Sequence, residues 1–126
     1  MDLIEGNKLK VFISYTVRDG EIDSHFLTKL NHQISEISTV YIDLIHNNSV
    51  NKQNRVVNEL KKSDFIFLIR TEQTNNSKWV NKELSLAREL NIPIVEFKHK
   101  ELIKVGFQPI IKAIKHLNIK NNQRCS

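Results

Sequence analysis

Trp79 and Glu83 stand four residues apart in the run Ser77-Lys78-Trp79-Val80-Asn81-Lys82-Glu83-Leu84. On a helix, that spacing puts both side chains on one face, about a turn apart. The run follows a polar loop, and its apolar spacing opens a helix. A carboxylate beside a large aromatic ring at the mouth of a buried sheet is an unusual pair. It can face an electron-poor sugar carbon while the ring keeps water away. The bland alternative is an exposed helical glutamate paired with a lysine.

The elements that must hold this pair follow from hydrophobic spacing. Val11-Phe12-Ile13 forms a short apolar run within Lys10 to Tyr15. Ile22, Phe26, Leu27, Leu30 and Ile34 then recur at helical intervals. Thr39 to Asp43 is β-branched and aromatic, as in a strand. Val50, Val56, Val57 and Leu60 mark a second helix. Phe65-Ile66-Phe67-Leu68-Ile69 is apolar throughout, as in a central parallel strand covered on both faces. Val80, Leu84 and Ala87 line the core side of a third helix. Ile92-Pro93-Ile94-Val95 reads as a fourth strand, with Pro93 near its start, where a missing N–H is tolerated. Phe107 to Leu117 contains a last amphipathic helix, and Asn118 to Ser126 reads as a frayed polar tail.

This alternation predicts one α/β domain over residues 1–126, with its core in 8–118 and a polar tail in 119–126. The fold class is a flavodoxin-like three-layer sandwich, a central parallel sheet with helices on both faces. Right-handed crossovers give the strand order 2-1-3-4, with four strands, or five if Glu101 to Val105 adds a short one. Ligands of such sheets bind beyond the carboxyl ends of the strands, where the strand order reverses. That rule brings Ser14 to Asp19, the loop after Asp43, and Thr71 to Glu83 to one place, with Glu83 near Ser14, Tyr15 and Asp43.

Composition narrows the function. The 126 residues suit a single core, and 40% apolar with 26% charged residues is ordinary for a globule. No run reaches the roughly 18 apolar residues of a membrane span. The first residues lack the basic segment, apolar stretch and cleavage site of a signal peptide, and Cys125 is the single cysteine, so a reducing, cytoplasmic setting is expected. The net charge of +5 is scattered over the chain, which argues against nucleic acid but suits a phosphorylated metabolite such as a dinucleotide. Gly6, Gly20 and Gly106 are the only glycines, so neither a Walker loop nor the dinucleotide fingerprint is present. The five histidines show no metal spacing, and nothing supports a serine or cysteine nucleophile.

Val11-Phe12-Ile13-Ser14-Tyr15-Thr16-Val17-Arg18-Asp19 resembles the first box of TIR domains. Tyr41-Ile42-Asp43 resembles their second strand and the start of the following loop. Ser77 to Leu84 is similar to the Trp-x-x-x-Glu segment of NAD-consuming members. The likeness runs from Lys10 to Phe97, more than two thirds of the chain. The first box alone is moderately specific; two boxes at the expected separation within a β/α alternation are stronger.

The resemblance implies that Glu83 is the catalytic glutamate of an enzyme that breaks the nicotinamide–ribose bond of NAD. The products would be nicotinamide with linear, cyclised or transferred ADP-ribose. NAD is then the substrate, with no resident cofactor or metal. Nicotinamide departs neutral from a cationic precursor, so no general acid is required, and the carboxylate stabilises charge developing on the ribose. Ser14, Tyr15 and Thr16 would contact ribose or phosphate. Arg18 meets the diphosphate, or is simply an exposed loop arginine. Asp43 contacts a ribose, or organises its loop. Trp79 packs along the nucleotide, walls off the pocket, or is a core aromatic. Asp19 would cap the first helix, and Ser77 the third. Leu44 to Val50 departs from the family in having no glycine.

The resemblance further implies a stand-alone protein similar to bacterial antiphage TIR proteins. Such a chain forms homo-oligomers on activation and makes a nucleotide signal for a separate effector protein. The alternative is a non-enzymatic interaction module. A receiver domain is disfavoured because Arg70-Thr71 stands where a phosphorylatable aspartate is needed. A nucleoside deoxyribosyltransferase-like enzyme is chemically near but lacks these boxes.

Overall fold

The structure, a computed structural model, describes residues 8–18, 20–47 and 50–125, with side chains through Asn118. Strands β1 (Lys10–Ser14), β2 (Thr39–Ile42), β3 (Phe65–Arg70) and β4 (Ile94–Lys98) form one parallel sheet in the order β2-β1-β3-β4. Six α-helices accompany them among the described residues: α1 (Ser24–Ile34), α2 (Asp43–His46), α3 (Lys52–Lys61), α4 (Lys78–Glu89), α5 (His99–Val105) and α6 (Gln108–Cys125). The architecture is the flavodoxin-like three-layer α/β fold that the alternation predicts.

Strand alternation divides the core into two layers. Val11, Ile13, Phe67 and Ile69 pack with α1, with Leu102 of α5 and with Ile110 and Ile114 of α6. Phe12, Ile66 and Leu68 face the other way, toward Val56 and Leu60 of α3 and Val80, Leu84 and Ala87 of α4. Each such large aliphatic side chain contributes roughly 1.5–3 kcal/mol by leaving water. From Ile66 to Ile69 the central strand is closed to solvent on both faces.

Helix starts are set by short polar side chains that accept otherwise unpaired N–H groups. Asp23 accepts from the Phe26 N–H at 2.9 Å, Asn51 from the Asn54 N–H at 3.2 Å, and Ser77 from the Val80 N–H at 3.2 Å. Ser77 is therefore the cap expected for its helix. The cap of α1 is Asp23; Asp19 lies outside the described residues.

Several boundaries differ from the sequence reading. Asp43 begins α2 rather than ending β2, and β4 runs Ile94–Lys98 rather than starting at Ile92. Val50 is fully exposed ahead of the Asn51 cap, so α3 buries Val56 and Leu60 instead. Glu101 to Val105 adds no fifth strand. His99 and Leu102, three residues apart, are the side chains of α5 that bury, which is helical spacing, while Ile103 and Val105 stay 65% and 53% exposed. Gly106, at φ +83°, ends that helix in a backbone conformation that favours glycine. The last helix continues to Cys125 in place of the expected tail. Beyond Pro109 the chain has no glycine or proline to break a helix.

Candidate functional site

A cleft of about 780 Å³ opens at the carboxyl ends of β1 and β3, where the strand order reverses. One of its buried polar groups comes from α4. The buried stripe of that helix is Val80, Glu83, Leu84 and Ala87, the spacing of a core-facing helix side. Glu83 thus occupies a position that the pattern reserves for an apolar residue, and its side chain is only 6% exposed. The surrounding sequence explains how the helix tolerates it. Alternation along β1 turns Ser14 to the same side as Phe12, toward α4. The Ser14 hydroxyl donates to Glu83 Oε1 at 2.8 Å. Trp79, one turn earlier on α4, supplies a further hydrogen bond.

Removal from water dominates the electrostatics of this carboxyl. Burial, with the negative charge of Asp43 adding to it, raises the Glu83 pKa to about 8, and the hydrogen bonds from Ser14 and Trp79 only partly oppose this. At neutral pH a carboxyl with this pKa is mainly protonated. A cation brought beside it would draw the proton off, because opposite charge within about 4–6 Å favours the ionised form.

Asp43 stands at the first position of α2 and lines the same cleft. Tyr41 donates its hydroxyl to Asp43 Oδ1 at 3.0 Å, and the Asn47 amide donates to the same oxygen at 2.7 Å. The Tyr15 hydroxyl accepts from the Leu44 N–H at 3.0 Å, tying the end of β1 to α2. Burial pushes that phenol up to about 12; the Leu44 N–H opposes the shift, and the charges of Asp43 and Glu83 add to it. Tyr15 is therefore a neutral hydrogen-bonding group across the physiological range.

The outer cleft is more polar. Thr16 accepts from the Arg18 N–H at 3.2 Å, which curls the loop after β1. The Arg18 side chain is exposed and lines the cleft, as does Lys78 at the start of α4. No ion pair holds either cation among the described residues. The turn that delivers α4 is fixed locally: the Thr71 N–H donates to Thr74 Oγ1 at 2.8 Å, and Asn81 reaches back to the Asn75 carbonyl at 3.2 Å.

Of the residues singled out from sequence, Tyr15, Thr16, Arg18, Asp43, Trp79 and Glu83 all line this cleft. Ser14 does not; it is fully buried behind Glu83 and acts on it directly. Asp43 is held by two donors within and beside its own helix, which fits the loop-organising alternative. Lys78 and Asn76 also line the cleft. Lys78 lies in the Ser77–Leu84 run, just before Trp79, but a lysine at a helix start carries no signal of its own. Tyr41 and Asn47, which orient Asp43, become visible only when α2 is known to begin at Asp43.

Among the described residues, no three His, Cys, Asp or Glu side chains cluster as metal ligands, and no helix is long and apolar enough to cross a membrane. No protein-family model matches the chain, and no curated protein matches it.

Proposed function

We propose that this protein cleaves the bond between nicotinamide and ribose in NAD, using Glu83 as its one catalytic carboxylate. The observation that carries the reading is a nearly dry Glu83, held by Ser14 and Trp79, at the base of a cleft at the carboxyl end of the sheet. The likeness of residues 11–19 to the first box of TIR domains, and of residues 77–84 to the Trp-x-x-x-Glu segment of NAD-consuming members, also supports it.

The chemistry follows from charge. The pyridinium of NAD is cationic, and its approach to Glu83 favours loss of the carboxyl proton. The bond between C1′ and the ring nitrogen then breaks heterolytically. Its electron pair goes to nitrogen, nicotinamide leaves neutral, and positive charge moves to the ribose. A carboxylate in a low-dielectric corner stabilises that charge far better than one in water. Water, or a hydroxyl of the product itself, then adds at C1′ and gives up a proton, which Glu83 can take. Arg18 and Lys78 would meet the diphosphate, and Asp43 would keep the loop after β2 in place beside Tyr15.

The direct test is incubation of the protein with NAD, with products identified by mass. Nicotinamide and an ADP-ribose species should appear with the native protein and be lost with Glu83→Ala. NAD left intact at every protein concentration, with the variant indistinguishable, would refute the assignment.

One observation favours a second reading, a module that works by contact with copies of itself. Val17 and Leu44 at the cleft are 56% and 53% exposed, and the neighbouring Ile45 is 38% exposed. Assembly that persists in Glu83→Ala without any nicotinamide release from the native protein would favour it. Activity that rises steeply with protein concentration would join the two readings. Signalling to a separate effector through the nucleotide product belongs to the same proposal and is supported by the resemblance alone.

A further inference from the structure

A second concavity of about 430 Å³ lies between α3 and α4. Its aliphatic lining is Val56, Val57 and Leu60 from one helix and Leu86 from the other. Trp79 and Glu83 line both this groove and the 780 Å³ cleft. They therefore form a partition between two compartments of different chemistry. On one side are Tyr15, Thr16, Arg18, Asp43 and Lys78; on the other, Val56, Val57, Leu60 and Leu86 form an aliphatic patch, with Lys61, Lys82 and Glu89 also lining the groove.

NAD divides the same way at the bond to be broken. On one side of C1′ it carries hydroxyls and a diphosphate; on the other, a flat carboxamide-bearing ring that becomes neutral on release. From this match we infer that the α3–α4 groove is a binding site for the departing base, a small uncharged planar heteroaromatic. The inference rests on the reading of Glu83 as the cleavage carboxylate. The sugar and diphosphate occupy the polar cleft, the ring passes beside Trp79 into the groove, and C1′ sits at Glu83 on the boundary. Gln53, Asn54 and Ser85 at the rim offer hydrogen bonds to a carboxamide. The groove has the size and apolar lining usual for small-ligand sites, and a ring held there stays close enough to recombine.

Filling the groove tests this. Val57 is half-buried and Ser85 exposed, so Val57→Phe adds bulk from α3 and Ser85→Phe adds it from α4 at a site with little folding cost. Inhibition by nicotinamide should weaken at least about tenfold in these variants, a loss of about 1.4 kcal/mol. Inhibition by ADP-ribose, which lacks the nicotinamide ring, should stay unchanged. A second readout needs no turnover. Trp79 is the only tryptophan, so the protein gives a single indole N–H resonance. Titration with nicotinamide should move it saturably, together with the amides of Val56, Val57 and Leu60. Nicotinamide inhibition that survives both substitutions, or amide shifts confined to Tyr15, Thr16 and Arg18, would overturn the groove assignment while leaving NAD cleavage intact. Absence of cleavage by the native protein would instead strike the functional reading, and the titration would still decide whether the groove binds the base.

Discussion

Glu83 and His99 are buried to the same degree, each 6% exposed, yet they sit in opposite circumstances. Glu83 has two hydrogen-bonding partners and lines both a cleft and a groove. His99 packs on the Phe26 ring, with centroids 4.9 Å apart, and its Nε2 has no partner among the described residues. It lines neither the cleft nor the groove. A buried titratable group becomes chemically useful when a ligand can reach it and donors hold it in place. Burial without access marks a packing position that happens to carry a nitrogen.

The widest separation between the two should come from truncation. Glu83→Ala is expected to lower NAD cleavage about 10²- to 10³-fold, the usual loss for a preorganised electrostatic group. His99→Leu should leave the rate within about twofold. Its stability should hold or rise, because replacing an unpaired buried polar group with an apolar one of similar shape removes a desolvation cost. Nicotinamide release and thermal unfolding measured on both variants check the contrast. A large rate loss in His99→Leu at unchanged stability would break it.

Ser14→Ala should act through Glu83. Loss of the 2.8 Å hydrogen bond removes a force that holds the carboxyl pKa down, so its titration should move upward. The rate at neutral pH should fall about tenfold, more than the rate at high pH. An equal loss at every pH would mean that Ser14 matters for some other reason.

Stability should carry the same signature. The Glu83 pKa is about 8 in the folded protein and near the ordinary 4.5 in the unfolded chain. Between those values the folded state holds the extra proton, so stability falls as pH rises through the window, and the penalty is complete above about 8. Glu83→Gln lacks this proton and should lose less stability over that range, a difference of at most a few kcal/mol. Denaturant unfolding at several pH values measures it; parallel curves for the two proteins would contradict the burial of this carboxyl. The smallest effect belongs to Asp43→Asn. Removing a neighbouring negative charge should lower the Glu83 titration midpoint by about a unit or less.

Much of this arrangement was legible from spacing. The strand order needs only the alternation of elements, and the switch point follows from the order. Glu83 was visible because Trp79 stands a turn before it. Its bond to Ser14 was not, because two residues 69 apart in sequence meet only once β1 and α4 are packed. That Glu83 belongs to the buried stripe itself was readable in principle from Val80, Leu84 and Ala87, but a charged residue at such a position is ordinarily taken for surface. Glu101 to Val105 misled because its β-branched residues look like a strand, while the pair that buries, His99 and Leu102, begins two residues earlier. The end of α6 was missed because polar composition says little about backbone conformation when no helix breaker is present.

The central claim is that the Glu83 carboxylate, ionised when substrate arrives, breaks the glycosidic bond. The pH dependence of nicotinamide release tests this most directly, from about pH 5 to about pH 9. kcat/KM should rise with pH through one ionisation near 8, matching the free carboxyl. kcat should rise at a lower pH, because the bound pyridinium cation pulls the proton off, and both rises should vanish in Glu83→Gln. A profile that is flat, falls with increasing pH, or keeps its rise in Glu83→Gln would contradict the account.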